Sequence, residues 1–149
     1  MNGTEDLSGA HAWVVLSKAH RAVALNARKQ VDSLGLGMSD FAVLEVLLHK
    51  GPLPVNVIGA KVLLTSGSVT TAIDRLEAKG LVERAAHGSD RRARIVHLTA
   101  RGRELIECAF AEHRRAMDQV FRHLTAQERA TLERLLKKLG LHAEELLTV

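Results

Sequence analysis

Between residues 55 and 98 the hydrophobic period of the chain changes from that of a helix to that of a strand, and this switch limits the folds open to it. A short periodic stretch at about 55–62 has Ile58 and Val62 as inward positions. A turn at Leu63-Leu64 leads to Thr65, a residue type that caps helix N-termini. The next stretch, 66–79, sets Val69, Ala72, Ile73 and Leu76 at i, i+3, i+4 and i+7, so one face is apolar. The other face carries Ser66, Gly67, Ser68, Thr70, Thr71, Asp74 and Arg75, and Gly80 is placed to end the helix. Leu81-Val82-Glu83-Arg84 and Arg94-Ile95-Val96-His97-Leu98 then read as two strands. The turn-rich tip Gly88-Ser89-Asp90-Arg91-Arg92 joins them into a hairpin with a basic end.

Helices flank this unit. Residues 8–34 carry Trp13, Val14, Leu16, Val23, Leu25, Val31 and Leu34 at mixed spacings of three and four, and Gly35 and Gly37 stop the pattern. Ser39 is the expected cap of a second helix at 40–49, with Asp40 favourable in its first turn. Phe41, Val43, Leu44, Leu47 and Leu48 face a core, and Gly51-Pro52 ends the helix. Thr99 caps a long helix at 100–123, and Thr125-Ala126-Gln127-Glu128 is a capping box opening the last one. That helix repeats leucine at 132, 135, 136, 139, 146 and 147. Only the first few residues read as disordered, and there is no internal repeat or linker.

Charge is distributed unevenly. Residues 61–103 hold nine Lys/Arg against four acids, a surplus of +5, whereas the other twelve bases and thirteen acids leave −1. The net charge of +4 is therefore concentrated in the helix pair and hairpin, as expected of a surface that meets a polyanion. Three Phe, one Trp and no Tyr disfavour a single-strand binder built on stacking platforms. One cysteine excludes an internal disulfide and suits a reducing cytoplasm. No run of 18 apolar residues spans a membrane, and the N-terminus lacks the basic and apolar regions of a signal peptide.

A short helix turned tightly onto a second one, followed by a hairpin, is a helix-turn-helix with a wing. The second helix is narrow enough for the major groove of duplex DNA. Ser66, Ser68, Thr70 and Thr71 present hydroxyls to phosphates or bases, threonine methyls suit the thymine methyl, and Arg75 is in reach of a guanine or a phosphate. Arg91, Arg92 and Arg94 equip the hairpin for a narrow minor groove, with Asp90 placed to orient an arginine.

At these residues the chain resembles the MarR family of transcriptional regulators. The stretch LLTSGSVTTAIDRLEAKGLVER, the D-x-R of the wing (Asp90, Arg92) and the L-T-x-x-G that starts the next helix (Leu98, Thr99, Gly102) carry the resemblance, which extends over the whole chain. It implies a mainly α (α+β) fold, with a winged helix-turn-helix lobe at 35–99 and dimerisation helices at 8–34 and 100–149. It also implies a cytoplasmic homodimer on pseudo-palindromic double-stranded DNA, usually a repressor, released by a small aromatic or phenolic effector or by cysteine oxidation. Leu63 stands where many helix-turn-helix proteins place glycine.

Other residues carry plainer readings. Cys108, beside Leu105, Ile106 and Ala109, reads as a small core or interface residue, and the first helix lacks the cysteine that peroxide-sensing relatives carry there. Trp13, Phe41, Leu44, Leu48 and Cys108 are the candidates for lining an effector pocket, on the resemblance alone. Eight scattered histidines give no zinc-like spacing, so no metal is expected. No nucleophile elbow, phosphate-binding loop or dinucleotide motif is present, so the chain does not read as an enzyme. The competing readings are a winged-helix protein–protein interaction module without DNA binding, and a small-molecule binder whose DNA function has lapsed.

Overall fold

A computed structural model of the chain describes residues 7–62, 64–87 and 90–148, with the backbone alone for His87 and residues 90–93. The Leu63 position of the turn, the wing residues Gly88 and Ser89, and the first six residues, read above as disordered, lie outside the described residues. Among the described residues the order is α1 (Gly9–Ser33), α2 (Met38–Lys50), β1 (Leu53–Pro54), α3 (Val55–Val62), α4 (Ser66–Ala78), β2 (Val82–His87), β3 (Asp90–Leu98), α5 (Ala100–Val120) and α6 (Ala126–Leu147). This is the mainly helical fold with a small antiparallel sheet that the period switch requires. The chain forms two compact units, divided between Arg114 and Arg115.

In the first unit, α2, α3 and α4 close on one core. Val69, Ala72, Ile73 and Leu76 of α4 are all buried, against Phe41, Val43, Leu44 and Leu47 of α2 and Ile58 of α3. A β-carbon on Gly59 of α3 would lie 3.2 Å from Val69 Cγ1, so a larger residue there would press α3 and α4 apart. Around the same core, the Phe41 ring of α2 packs at 4.9 Å against His113 of α5, and His113 Nδ1 lies 2.8 Å from Gln30 Oε1 of α1.

The sheet has the order β1-β3-β2. The hairpin runs further than the sequence pattern suggests, because pairing continues through Ala85↔Ile95 and Ala86↔Arg94. Backbone hydrogen bonds carry these rungs, so no apolar alternation betrays them. Strand β1 adds Leu53↔Val96 and Pro54↔Ile95 to the outer edge of β3. Two residues are too few to show a period, and proline is tolerated at a sheet edge.

The helix ends follow local chemistry. Gly35 takes φ 74° after α1 and Gly80 takes φ 71° after α4, conformations open to glycine. Thr65 accepts from Ser68 N, and Thr125 and Glu128 complete the capping box of α6. Ser39 is not a cap: α2 starts two residues earlier, with Gly37 at the N-cap and no side-chain capping bond, so Ser39 lies within the first turn. Helix α5 ends at Val120 rather than 123, where Phe121 N to Met117 O and Leu124 N to Phe121 O form the turn into Thr125.

The second unit holds the end of α5 and all of α6. Asp118 and Arg129 approach at 3.8 Å, and Met117, Phe121, Leu132 and Leu136 line an apolar cleft. No residue of α6 is buried; Leu135, Leu136, Leu139, Leu141, Leu146 and Leu147 all face outward. In the first unit, α1 likewise exposes Trp13, Val14, Val15 and Leu25. Among the described residues no helix is long and apolar enough to cross a membrane.

Candidate nucleic-acid interface

Burial of the Val69/Ala72/Ile73/Leu76 stripe turns the opposite face of α4 to solvent. Ser66, Ser68, Thr70, Thr71, Asp74 and Arg75 are all exposed on the structure's surface. The hydroxyls of Ser68, Thr70 and Thr71 are already engaged locally. Thr70 Oγ1 donates to Ser66 O at 2.8 Å and Thr71 Oγ1 to Gly67 O at 2.9 Å, while Thr65 Oγ1 donates to Ser68 Oγ. With their protons so committed, Thr70 and Thr71 offer a partner their lone pairs and methyl groups. That complement suits an amino group or a thymine methyl in a major groove better than a phosphate oxygen.

Two arginines brace this helix. Arg75 Nε donates to both carboxylate oxygens of Asp40 at 3.1 Å, and its Nη2 donates to Oδ1 at 2.5 Å. Asp40, at the start of α2, is 3% exposed, and Lys79 Nζ lies 4.0 Å from Oδ2. The hydrogen bonds and charge of Asp40 hold the Arg75 guanidinium more firmly protonated than a free arginine. Arg84 of β2 performs the second bracing: its backbone N–H and Nη1 bond Glu77, and Nη2 bonds Asp74. The hairpin is thereby tied to the solvent side of α4.

The L-T-x-x-G segment locks the hairpin base. Thr99 Oγ1 donates to Gly80 O at 2.7 Å and accepts from Gly102 N at 3.0 Å, and Thr99 N donates to Leu81 O at 3.1 Å. The end of α4, the start of β2 and the first turn of α5 are thus fixed on one threonine.

Arg94 is exposed on β3 opposite Ala86. The side chains of Asp90, Arg91 and Arg92 lie outside the described residues. Ser66, Ser68, Thr70, Thr71 and Arg75 therefore share one face of α4, and Arg94 belongs to the adjoining hairpin.

The candidate pocket residues do not come together. Phe41 and Leu44 are sealed in the core, Leu48 packs partly buried against it, and Trp13 is 67% exposed on α1. Their apolar spacing marks helix faces, and the face that suits a ligand is the same face that suits a core. Cys108 is exposed, which excludes the core, one of its two expected places, and leaves the interface reading untouched. It lines a cavity of about 420 Å³ together with the apolar Leu34, Leu36, Leu105 and Ala109 and the charged Arg101, Glu104 and Glu112.

Asp40 is not legible in the sequence as a partner of α4. A signal was present: position 40 falls on the stripe 40, 43/44, 47 that is otherwise apolar. A charge on a buried stripe requires a counter-charge.

Residues 34–93 match the sequence profile described as MarR family. The HTH-type transcriptional regulator MhqR of Bacillus subtilis is 38% identical over 133 residues, 89% of this chain and 92% of that protein. The HTH-type transcriptional repressor Rv2887 of Mycobacterium tuberculosis is 35% identical over 110 residues, 74% of this chain and 79% of that protein. The crystal structure of a mutant MarR from E. coli complexed with operator DNA superposes with a TM-score of 0.74 at 26% identity, covering 84% of this chain and 90% of that one.

Proposed function

The chain belongs to the MarR family of DNA-binding transcriptional regulators, and from that membership we propose that it acts as a homodimeric repressor of a pseudo-palindromic operator in the cytoplasm. Each copy sets α4 into a major groove, and the two helices address half-sites about one helical turn apart, roughly 34–36 Å. Ser66, Ser68, Thr70, Thr71 and Arg75 make the groove contacts. Arg91, Arg92 and Arg94 of the wing, with Asp90 orienting them, reach the flanking minor groove. The observation that carries this reading is the division of α4 into a fully buried stripe and a fully exposed polar face.

Residues 35–99 serve as the DNA-binding lobe, and 8–34 with 100–149 as dimerisation helices. The leucines of α6 and the apolar positions of α1 support a second copy as their cover, because outward rows of this kind are costly on a monomer. The repressor role draws on the name of the mycobacterial relative.

A small aromatic or phenolic effector suits the cavity beside Cys108, whose lining is largely apolar and whose volume lies in the range of small-ligand sites. Such an effector acts only if it binds one arrangement of the DNA-binding lobes better than another. Selection of bound duplexes from genomic DNA tests the reading: an enriched inverted repeat is expected, and retention of no duplex at physiological salt overturns it in favour of a protein-docking module.

A further inference from the structure

We propose that Asp40 is a positioning residue for sequence discrimination: it fixes Arg75 in one orientation on α4 and withholds that charge from indiscriminate phosphate contact. The proposal rests on the reading of α4 as the DNA-facing helix. Among the described residues Asp40 is the buried charged residue of the first unit's core, and a carboxylate there is tolerable only with partners. It obtains them from α4, through three hydrogen bonds from Arg75 and the nearby Lys79 ammonium.

Arg75 meanwhile remains 45% exposed on the polar face. Its Nε and Nη2 are committed inward, which leaves Nη1 as the edge for an outside acceptor. An arginine free to swing on such a face finds a phosphate on any duplex. A clamped one reaches an acceptor only where the operator places it, and its side-chain entropy is already spent. The carboxylate also cancels the arginine's charge at long range, which lowers the attraction to random DNA while leaving the short-range donor in place. Specificity is the difference between the two affinities, so both effects raise it.

The test compares wild type with Asp40→Asn and Arg75→Gln on the selected duplex and on a scrambled duplex, by anisotropy across a salt series. Asp40→Asn keeps the shape and one acceptor but removes the charge. The expected result is tighter binding to scrambled DNA, a salt slope steeper by about 0.9, and a specificity ratio reduced about tenfold. A residue that only supported the fold would instead lower the melting temperature and weaken both duplexes together with an unchanged slope, which overturns the proposal. Arg75→Gln serves if Asp40→Asn fails to fold. It is expected to reduce the ratio while leaving the slope on scrambled DNA unchanged; a slope shallower by about 0.9 would mark Arg75 as an ordinary phosphate contact and overturn the clamp. A wild-type protein with no preference for any duplex overturns the DNA-reading function itself, whereas a preference that survives both substitutions overturns only the role of Asp40.

Discussion

Gly102 lies directly against the carbonyl of Leu81: a β-carbon at 102 would sit 1.9 Å from that oxygen. The glycine of the L-T-x-x-G segment is thus required by a close approach of the α5 first turn to the hairpin base, not by an unusual backbone angle. Gly102→Ala must push α5 from β2 and strain the Thr99 bonds to Gly80 and Leu81. The expected cost is about 1–3 kcal/mol or more, read as a lowered midpoint in thermal unfolding. An unchanged midpoint would show that the segment yields freely.

Thr71 donates its hydroxyl to Gly67 O, so its outward chemistry is a methyl and a lone pair. Thr71→Ala is expected to weaken binding to the selected operator by about 1–3 kcal/mol if the contact is to a base. Binding to scrambled duplex should be unaffected. Competition titrations with the two duplexes give the difference; equal losses on both would assign Thr71 to the phosphate backbone.

Arg92 has a different role in the proposed interface. Its replacement by alanine is expected to weaken operator and scrambled duplex alike and to make the salt dependence shallower by about 0.9. Anisotropy at several salt concentrations reads both quantities. Affinity and slope equal to wild type would remove the wing from the interface.

Leu139 of α6 is 52% exposed in a row of outward leucines. Leu139→Glu should leave the helix content unchanged, because glutamate is a good helix former. It is expected to shift the sedimenting species from dimer to monomer and to abolish operator binding at the concentrations that saturate wild type. A variant that stays dimeric would place the interface elsewhere.

The parts of this fold that are legible in the sequence are those where one residue type has one local consequence. Val69, Ala72, Ile73 and Leu76 announce the buried side of α4, and Thr65 and the Thr125/Glu128 pair announce helix starts. What escapes depends on partners distant in sequence. Asp40 reads as a first-turn acid because its partner is 35 residues away. Strand β1 exists only through its pairing with Val96 and Ile95. Phe41 and Leu44 are pocket candidates on the family resemblance alone, whereas their helical spacing already reads as core-facing, and it is in the core that both lie. The chemistry of the α4 surface is legible as residue types, but the commitment of the Thr70 and Thr71 protons to the helix backbone is visible only in three dimensions.

If two copies of α4 read two half-sites in fixed register, binding must depend on the spacing between those half-sites. Affinity is measured for the selected duplex and for one with five base pairs inserted between its half-sites, about half a helical turn. The insertion is expected to reduce binding to the level of scrambled DNA, because the second half-site is carried to the opposite side of the duplex. Equal affinity for both duplexes would contradict the fixed register.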